Sequence, residues 1–250
     1  MMAVAEFRFY EELNDFLAPE RRKRAFEHAC ARRATVKNAI ESLGVPHTEV
    51  ELILANRQSV DFSYIVRDGD HISVYPQFEA LDVTPLLRVR GRPLRNTCFI
   101  ADSHLGALAK YLRILGFDTL YRNDFSDREV VEIAAAERRV ILSRDRGLLM
   151  HRAVTHGCFV RAVRPLAQIE EVLDRLDLHR AVQPFTRCLL CNQPLEVISR
   201  EEASRRVPPE TAQYYDDFRA CRTCNRTYWP GSHYRRLSAL LHRTANHSGT

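Results

Sequence analysis

Two groups of residues in this 250-residue chain have types and spacing that can do chemistry. The first is a set of thiols. Cys188-x-x-Cys191 and Cys221-x-x-Cys224 form two knuckles with twenty-nine residues between them. Four thiolates paired in this way make a closed tetrahedral Zn²⁺ site, structural in role. His233 and His242 lie nearby as spare ligands, but four cysteines already complete the shell. Cys30, Cys98 and Cys158 fall in helix or strand patterns and read as buried and inert.

The second group is acidic. Asp102 directly follows the apolar run CFIA, Asp124 and Asp127 follow FDTLYR, and Asp145 follows VILS. All three runs read as strands. In an open parallel sheet, ligands bind beyond the carboxyl ends of the strands. Carboxylates gathered there can hold Mg²⁺ or Mn²⁺, which activates a water and neutralises charge on a phosphate, the chemistry of phosphodiester hydrolysis. Each acid also has a plain structural reading. Asp102 and Asp145 can cap the helices that follow them, and S-D-R-E at 126–129 is a capping box with Asp127 in its first turn. Their shared edge of one sheet favours a site.

The elements needed to position these groups are legible along the chain. Residues 98–182 alternate strand and helix: CFIA, LGALAKYLRILG, FDTLYR, SDREVVEIAAAERR, VILS, RGLLMHRAVTHG, CFVRAV, LAQIEEVLDRLDL. Repeated strand–helix units predict a parallel sheet covered on both faces. Residues 183–250 hold the cysteines and read as a zinc ribbon. Residues 1–80 read strand, helix, then strands. Thr35 is the expected N-cap of TVKNAIESLGV, Val36, Ala39, Ile40 and Leu43 form its apolar face, and Gly44 ends it. VELILAN, SVDFSYIV and HISVYP are strand-like, which together predict a β-grasp fold. Residues 81–97, with Pro85, Pro93, Gly91 and four Arg, read as a linker. The fold class is therefore α/β in three parts.

Charge adds a direction. Residues 1–80 carry ten basic against thirteen acidic residues, 81–182 seventeen against thirteen, and 183–250 ten against six. The basic excess sits with the acids and the cysteines, which suits a polyanion such as RNA. Arg222, Arg226 and Arg235 stand among Tyr228, Trp229 and Tyr234 near the second knuckle, a mixture that can contact phosphate and stack on unpaired bases. No apolar run reaches the roughly 18 residues of a membrane span, and no signal peptide is apparent, so the expected location is the cytoplasm.

The stretch from FIADSHLGALAKYLRILG through SRDRGLL, RCLLCNQPL and CRTCNRTYWPGSHYRRL resembles the Mut-seven carboxy-terminal ribonuclease family, a branch of the PIN-like nucleases, over about 145 residues. The resemblance implies an acid site of Asp102, Asp127 and Asp145, with Asp124 as an extra member. It also implies basic helix positions at Lys110 and Arg113 near the phosphate path, where Arg144 would join them. Ala107 departs from the family pattern, in which a Lys is expected. The first unit is similar to the ubiquitin-like sulfur carriers of molybdopterin and thiamine synthesis. It lacks their terminal Gly-Gly tail and runs on into Gln77-Phe78-Glu79, so the similarity implies the fold and not sulfur transfer. A protein partner of this unit is a further expectation. The resulting expectation is a metal-dependent endoribonuclease whose ribbon assists RNA binding. The alternative is a non-catalytic RNA-binding adaptor.

Overall fold

The computed structural model describes residues 2–76 and 98–231. The expected linker at 81–97, the Gln77-Phe78-Glu79 exit, and His233, Tyr234, Arg235 and His242 lie outside the described residues. Three sheets follow one another in chain order.

The first has five strands in the order β2-β1-β5-β3-β4. They are β1 (Ala3–Phe9), β2 (Phe26–Cys30), β3 (Leu52–Ala55), β4 (Gln58–Val60) and β5 (His71–Tyr75). β1 alternates strictly, with Ala5, Phe7 and Phe9 buried between exposed neighbours, as a half-buried strand must. It runs antiparallel to β2 and parallel to β5. α1 (Val36–Ser42) packs Val36, Ala39 and Ile40 into the same core. Thr35 caps it, its hydroxyl accepting from the Asn38 N–H at 3.2 Å. Gly44, at φ +90°, turns the chain away where a side chain would be strained. This is the β-grasp unit expected. The run SVDFSYIV stops being a strand at Val60, because the Asp61 carboxylate accepts from the Ser63 N–H and hydroxyl and bends the chain into a turn.

The second sheet is wholly parallel, in the order β7-β6-β8-β9. Its strands are β6 (Phe99–Ala101), β7 (Thr119–Leu120), β8 (Val140–Ser143) and β9 (Gly157–Phe159). Alternate residues serve opposite faces. Phe99, Ala101 and Leu142 pack with α2 (Gly106–Ile114) and α5 (Pro165–Arg175). Ile100 and Ile141 pack with α3 (Asp127–Glu137) and α4 (Arg146–Leu149). Burial on both faces explains why these strands read as unbroken apolar runs. The helix expected over RGLLMHRAVTHG ends at Leu149. His151 then accepts the Ala153 N–H and the chain turns toward β9.

The third sheet is an antiparallel meander of β10 (Glu196–Ile198), β11 (Phe218–Cys221) and β12 (Arg226–Tyr228). Two short helices, α6 (Arg200–Ser204) and α7 (Pro209–Tyr214), are inserted after β10. Ile198, Ala203, Val207, Ala212, Phe218 and Ala220 give this ribbon a small core of its own. Among the described residues, no helix is long and apolar enough to cross a membrane.

The β-grasp unit covers the open edge of the parallel sheet. Glu49, whose side chain is fully buried, accepts the N–H of Phe159 in edge strand β9 at 2.7 Å. Its other oxygen meets Arg175 at 2.6 Å and Arg161 at 3.3 Å. His47 reaches the carbonyl of Val154 through Nε2 and Glu41 through Nδ1, both at 2.7 Å. Phe16 packs edge-on against Phe159. Removing one partner of a buried ion pair leaves the others uncompensated, at a cost of about 3 kcal/mol. Glu49→Ala should therefore lower unfolding stability by about that amount in urea titrations, and Glu49→Gln, which still accepts the Phe159 N–H, by less. An Ala variant as stable as the wild type would show that this contact contributes nothing to holding the two units together.

Candidate active site and metal centre

The four cysteine sulfurs meet. Cys188, Cys191, Cys221 and Cys224 place their Sγ atoms within 4.8 Å of one another. Cys188 to Cys224 and Cys191 to Cys221 are 3.4 Å apart, and Cys191 to Cys224 is 3.8 Å. A tetrahedron with Zn–S bonds of about 2.3 Å has edges of about 3.8 Å, so the set is close to the size of a zinc shell. Burial alone would push the Cys188 thiol up. The N–H groups of Cys191 and Leu190 and the Tyr228 hydroxyl outweigh it and bring the thiol down to about 6. Burial and the neighbouring sulfurs instead raise Cys191 and push Cys224 up to about 12, so without a cation the set favours one thiolate among the crowded thiols. Elsewhere, burial pushes Cys158 up to about 12 and raises Cys30 and Cys98, as inert thiols require.

The first knuckle is bolted to the parallel sheet by a residue whose expected role was different. Arg113 was expected near the phosphate path, yet it is only 4 % exposed. Its Nε donates to the Thr119 carbonyl at 2.8 Å, and Nη1 donates to the carbonyls of Leu189 and Leu190 at 2.9 and 2.8 Å. All three are main-chain acceptors of this chain, so Nε and Nη1 are taken up in holding the fold. Burial lowers the affinity of Arg113 for its proton, and the nearby Cys188, Cys191 and Asp118 partly restore it. Asn192 completes the joint. It accepts the Thr119 N–H at 3.0 Å and donates to Asp118 at 2.8 Å. Burial pushes Asp118 up, but hydrogen bonds from Arg139 and Asn192 outweigh it and hold the carboxyl below the ordinary range.

The acids lie where the topology put them, at the carboxyl ends of neighbouring strands. Asp102 ends central strand β6 and is 7 % exposed. Its Oδ1 accepts from the N–H and hydroxyl of Ser103 at 2.6 and 3.1 Å, and its Oδ2 accepts the Ser143 hydroxyl at 2.8 Å. Asp145 is exposed beyond β8, where its Oδ1 accepts the Gly147 N–H at 2.7 Å and caps α4. Its own N–H donates to the Ser143 hydroxyl at 2.9 Å. Ser143 thus ties Asp102 to the Asp145 main chain, a role not read from the sequence, where it stood only as the last residue of the run VILS. Asp127 is exposed at the first position of α3, with Ser126 and Glu129 forming the capping box beside it. Asp124 is exposed and held in a bidentate pair with Arg122 at 2.8 Å, which lowers its carboxyl pKa. Among the described residues the cysteines form the one cluster of metal-type ligands, and the carboxylates do not form a second.

The basic residues divide. Lys110 on α2 is exposed. Arg144 is exposed beside Asp145, with one long bond to the Ala162 carbonyl at 3.3 Å. Arg226 is exposed on β12. Arg222 is paired with Glu196 and Glu202 at 2.7 and 2.9 Å, within the ribbon. Trp229 packs on the ribbon core and Tyr228 on Cys188.

Comparison with family models matches residues 97–241 to the Mut7-C RNAse domain and residues 2–82 to the Mut7-C ubiquitin domain. Comparison with curated proteins and with solved structures gave no match.

Arg113→Ala tests the structural placement. It leaves the buried Thr119 carbonyl and the part-buried carbonyls of Leu189 and Leu190 without this donor, at a cost of about 1 to 3 kcal/mol for a buried group left unsatisfied and less for the two that water can reach. Stability to urea should fall by several kcal/mol while RNA affinity of the remaining folded protein, read by fluorescence anisotropy, stays within about twofold. A stable variant with weakened RNA binding would return Arg113 to the phosphate path.

Proposed function

The chain belongs to the Mut7-C RNAse domain family, whose model spans more than half of it, and from that premise we propose that it is a metal-dependent endoribonuclease. The observation that carries the reading is the Ser143 bridge at the carboxyl edge of the two central strands. One hydroxyl binds the Asp102 carboxylate and the Asp145 N–H together, in the crevice where parallel sheets bind ligands. Asp102, Asp127 and Asp145 are the proposed acids, with Asp124 at the rim. Their donors are hard oxygens of the kind Mg²⁺ and Mn²⁺ prefer. When bound, such an ion would supply water activation and charge neutralisation at the phosphate. The chain's own part is to place the ligands and the substrate. The bonds to Asp102 from Ser103 and Ser143 fix its orientation. Exposed Lys110, Arg144 and, on the ribbon, Arg226 offer phosphate contacts on the basic part of the molecule.

The thiolate set fits Zn²⁺, and the ribbon is the proposed structural zinc site. The proposed substrate is RNA, and the cytoplasm the proposed location. The adaptor reading draws on one observation: Asp102 and Asp145 are occupied as caps, Asp124 is paired with Arg122, and the carboxylates do not form a ligand cluster among the described residues.

Two expectations follow. The purified protein should hold about one Zn²⁺ per chain by metal analysis, and Cys191→Ser should lose the ion and unfold the ribbon, because metal binding supplies much of its folding free energy. A folded, zinc-free preparation would refute this. Single-stranded RNA should be cut only with Mg²⁺ or Mn²⁺, and more weakly as salt rises. Chelation is ambiguous because it also strips zinc, so the decisive variants are Asp102→Asn and Asp145→Asn. Each should slow cleavage at least about a hundredfold, consistent with the several kcal/mol that metal catalysis contributes, and still bind RNA. Wild-type rates in both would assign the cutting to another site. Binding without cleavage in the wild type, across both metals, selects the adaptor.

A further inference from the structure

The residue after Asp145 is exposed and reaches from the nuclease sheet to the β-grasp unit. Arg146 is the first residue of α4. Its guanidinium lies 4.9 Å from the ring centre of Phe16 and 5.8 Å from that of Phe159, distances that Arg161 shares, and its Nη1 alone of the two donates to the Phe16 carbonyl, at 3.1 Å. Phe16 belongs to the 3-10 turn Glu11–Phe16 of the β-grasp unit and is itself buried. Gly44 of the β-grasp unit lies beside this contact. A Cβ at Gly44 would stand 3.3 Å from the Phe16 carbonyl and 3.7 Å from Arg146 Nη1.

The position of Arg146 in the chain gives the contact its meaning. Asp145 is held on one side by the Ser143 hydroxyl, through its N–H, and on the other by the α4 Gly147 N–H, through its carboxylate. The short helix that orients the carboxylate has four residues, too few to be stable by itself. Its first residue is clamped by the other domain. A cation over an aromatic face, with a hydrogen bond to a carbonyl, is a directional contact. Glu49, bonded to the Phe159 N–H, sets the register of the same surface.

We propose that the ubiquitin-like unit is a built-in part of the nuclease site, fixing the turn that carries Asp145, with Arg146 as the positioning residue. The catalytic half of this statement rests on the ribonuclease reading above; the clamp itself does not. Positioning that depends on a remote contact acts on turnover more than on substrate affinity.

The test uses the full-length, zinc-loaded chain. Amide hydrogen exchange is followed over residues 143–149, and kcat and KM are measured separately on single-stranded RNA. Arg146→Ala should exchange faster in this segment and lose at least about tenfold in kcat, with KM within about twofold. Arg146→Lys, which keeps the charge and loses the planar fork, should recover part of both. Arg152→Ala, an exposed arginine just past α4, should match the wild type. Unchanged exchange in Arg146→Ala overturns the clamp. Faster exchange with unchanged kcat overturns its part in catalysis. If the wild type cuts no RNA, the ribonuclease reading fails instead, and the exchange contrast still decides whether the clamp exists.

Discussion

The buried carboxylate of Glu49 is the contact on which the arrangement of the first two units depends. A parallel sheet of four strands ends in an edge, and an edge strand presents main-chain groups that need partners. Glu49 satisfies one of them, the N–H of Phe159, and holds Arg175 and Arg161 with its second oxygen. A carboxylate at this depth is costly unless paired, so the pairing acts as a selector: the wrong docking register would leave a buried charge alone. His47 extends the same logic. Its two ring nitrogens face a carboxylate and a carbonyl, one from each unit, so the ring bridges the two. The two units therefore meet through a few directional bonds around a small aromatic contact rather than through a broad apolar face.

The other joint uses the same economy with the charges reversed. At the ribbon, a buried cation, Arg113, meets neutral carbonyls of the knuckle, and a carboxylate, Asp118, meets Arg139 and Asn192 nearby. The carbonyls of Leu189 and Leu190 lie in the loop between Cys188 and Cys191, which must curl tightly to present both sulfurs to one point. Curling exposes main-chain oxygens, and Arg113 satisfies them from the neighbouring domain. The joint thus links the shape of the metal loop to strand β7, since Asn192 also accepts the Thr119 N–H. Tyr121, just past that strand, donates to the Ser103 carbonyl beside Asp102.

What could be read in advance follows from which forces are local. Thr35 and the Ser126–Glu129 box announced their helices because capping is satisfied within four residues. The repeated strand–helix units over 98–182 announced a doubly covered parallel sheet because each crossover must lay its helix on a face of the sheet. The cysteine spacing announced the cluster because a tetrahedral shell tolerates few loop lengths. The buried joint that Arg113 makes was not legible, because the helix pattern GALAKYLRI shows which positions are polar and not what meets them. One step from Leu112, the same side chain serves an open face or a neighbouring domain equally well. Glu49, in the run PHTEV, gave no signal at all: its meaning lies more than a hundred residues away. The early stop of α4 was hidden for a similar reason, since the turn toward β9 is set by the sheet.

The acids raise the question of whether a cap can also be a ligand. A carboxylate offers about four lone-pair directions, and Asp145 spends one on the Gly147 N–H while Asp102 receives three donors. Capping therefore does not exhaust Asp145, and for Asp102 the donors include two hydroxyls, which can rotate away or become acceptors as the surroundings change. The same bonds restrict the freedom of the side chains before any ligand arrives, so less ordering remains to be done on binding. A site made of unrestrained carboxylates would have to collect them against their mutual repulsion. Here Ser143 holds one acid by its carboxylate and the next by its main chain, which brings two negative groups to the same edge without forcing their charged atoms together. The arrangement that makes these residues look like ordinary caps is thus also the one that would keep them ready to receive a cation.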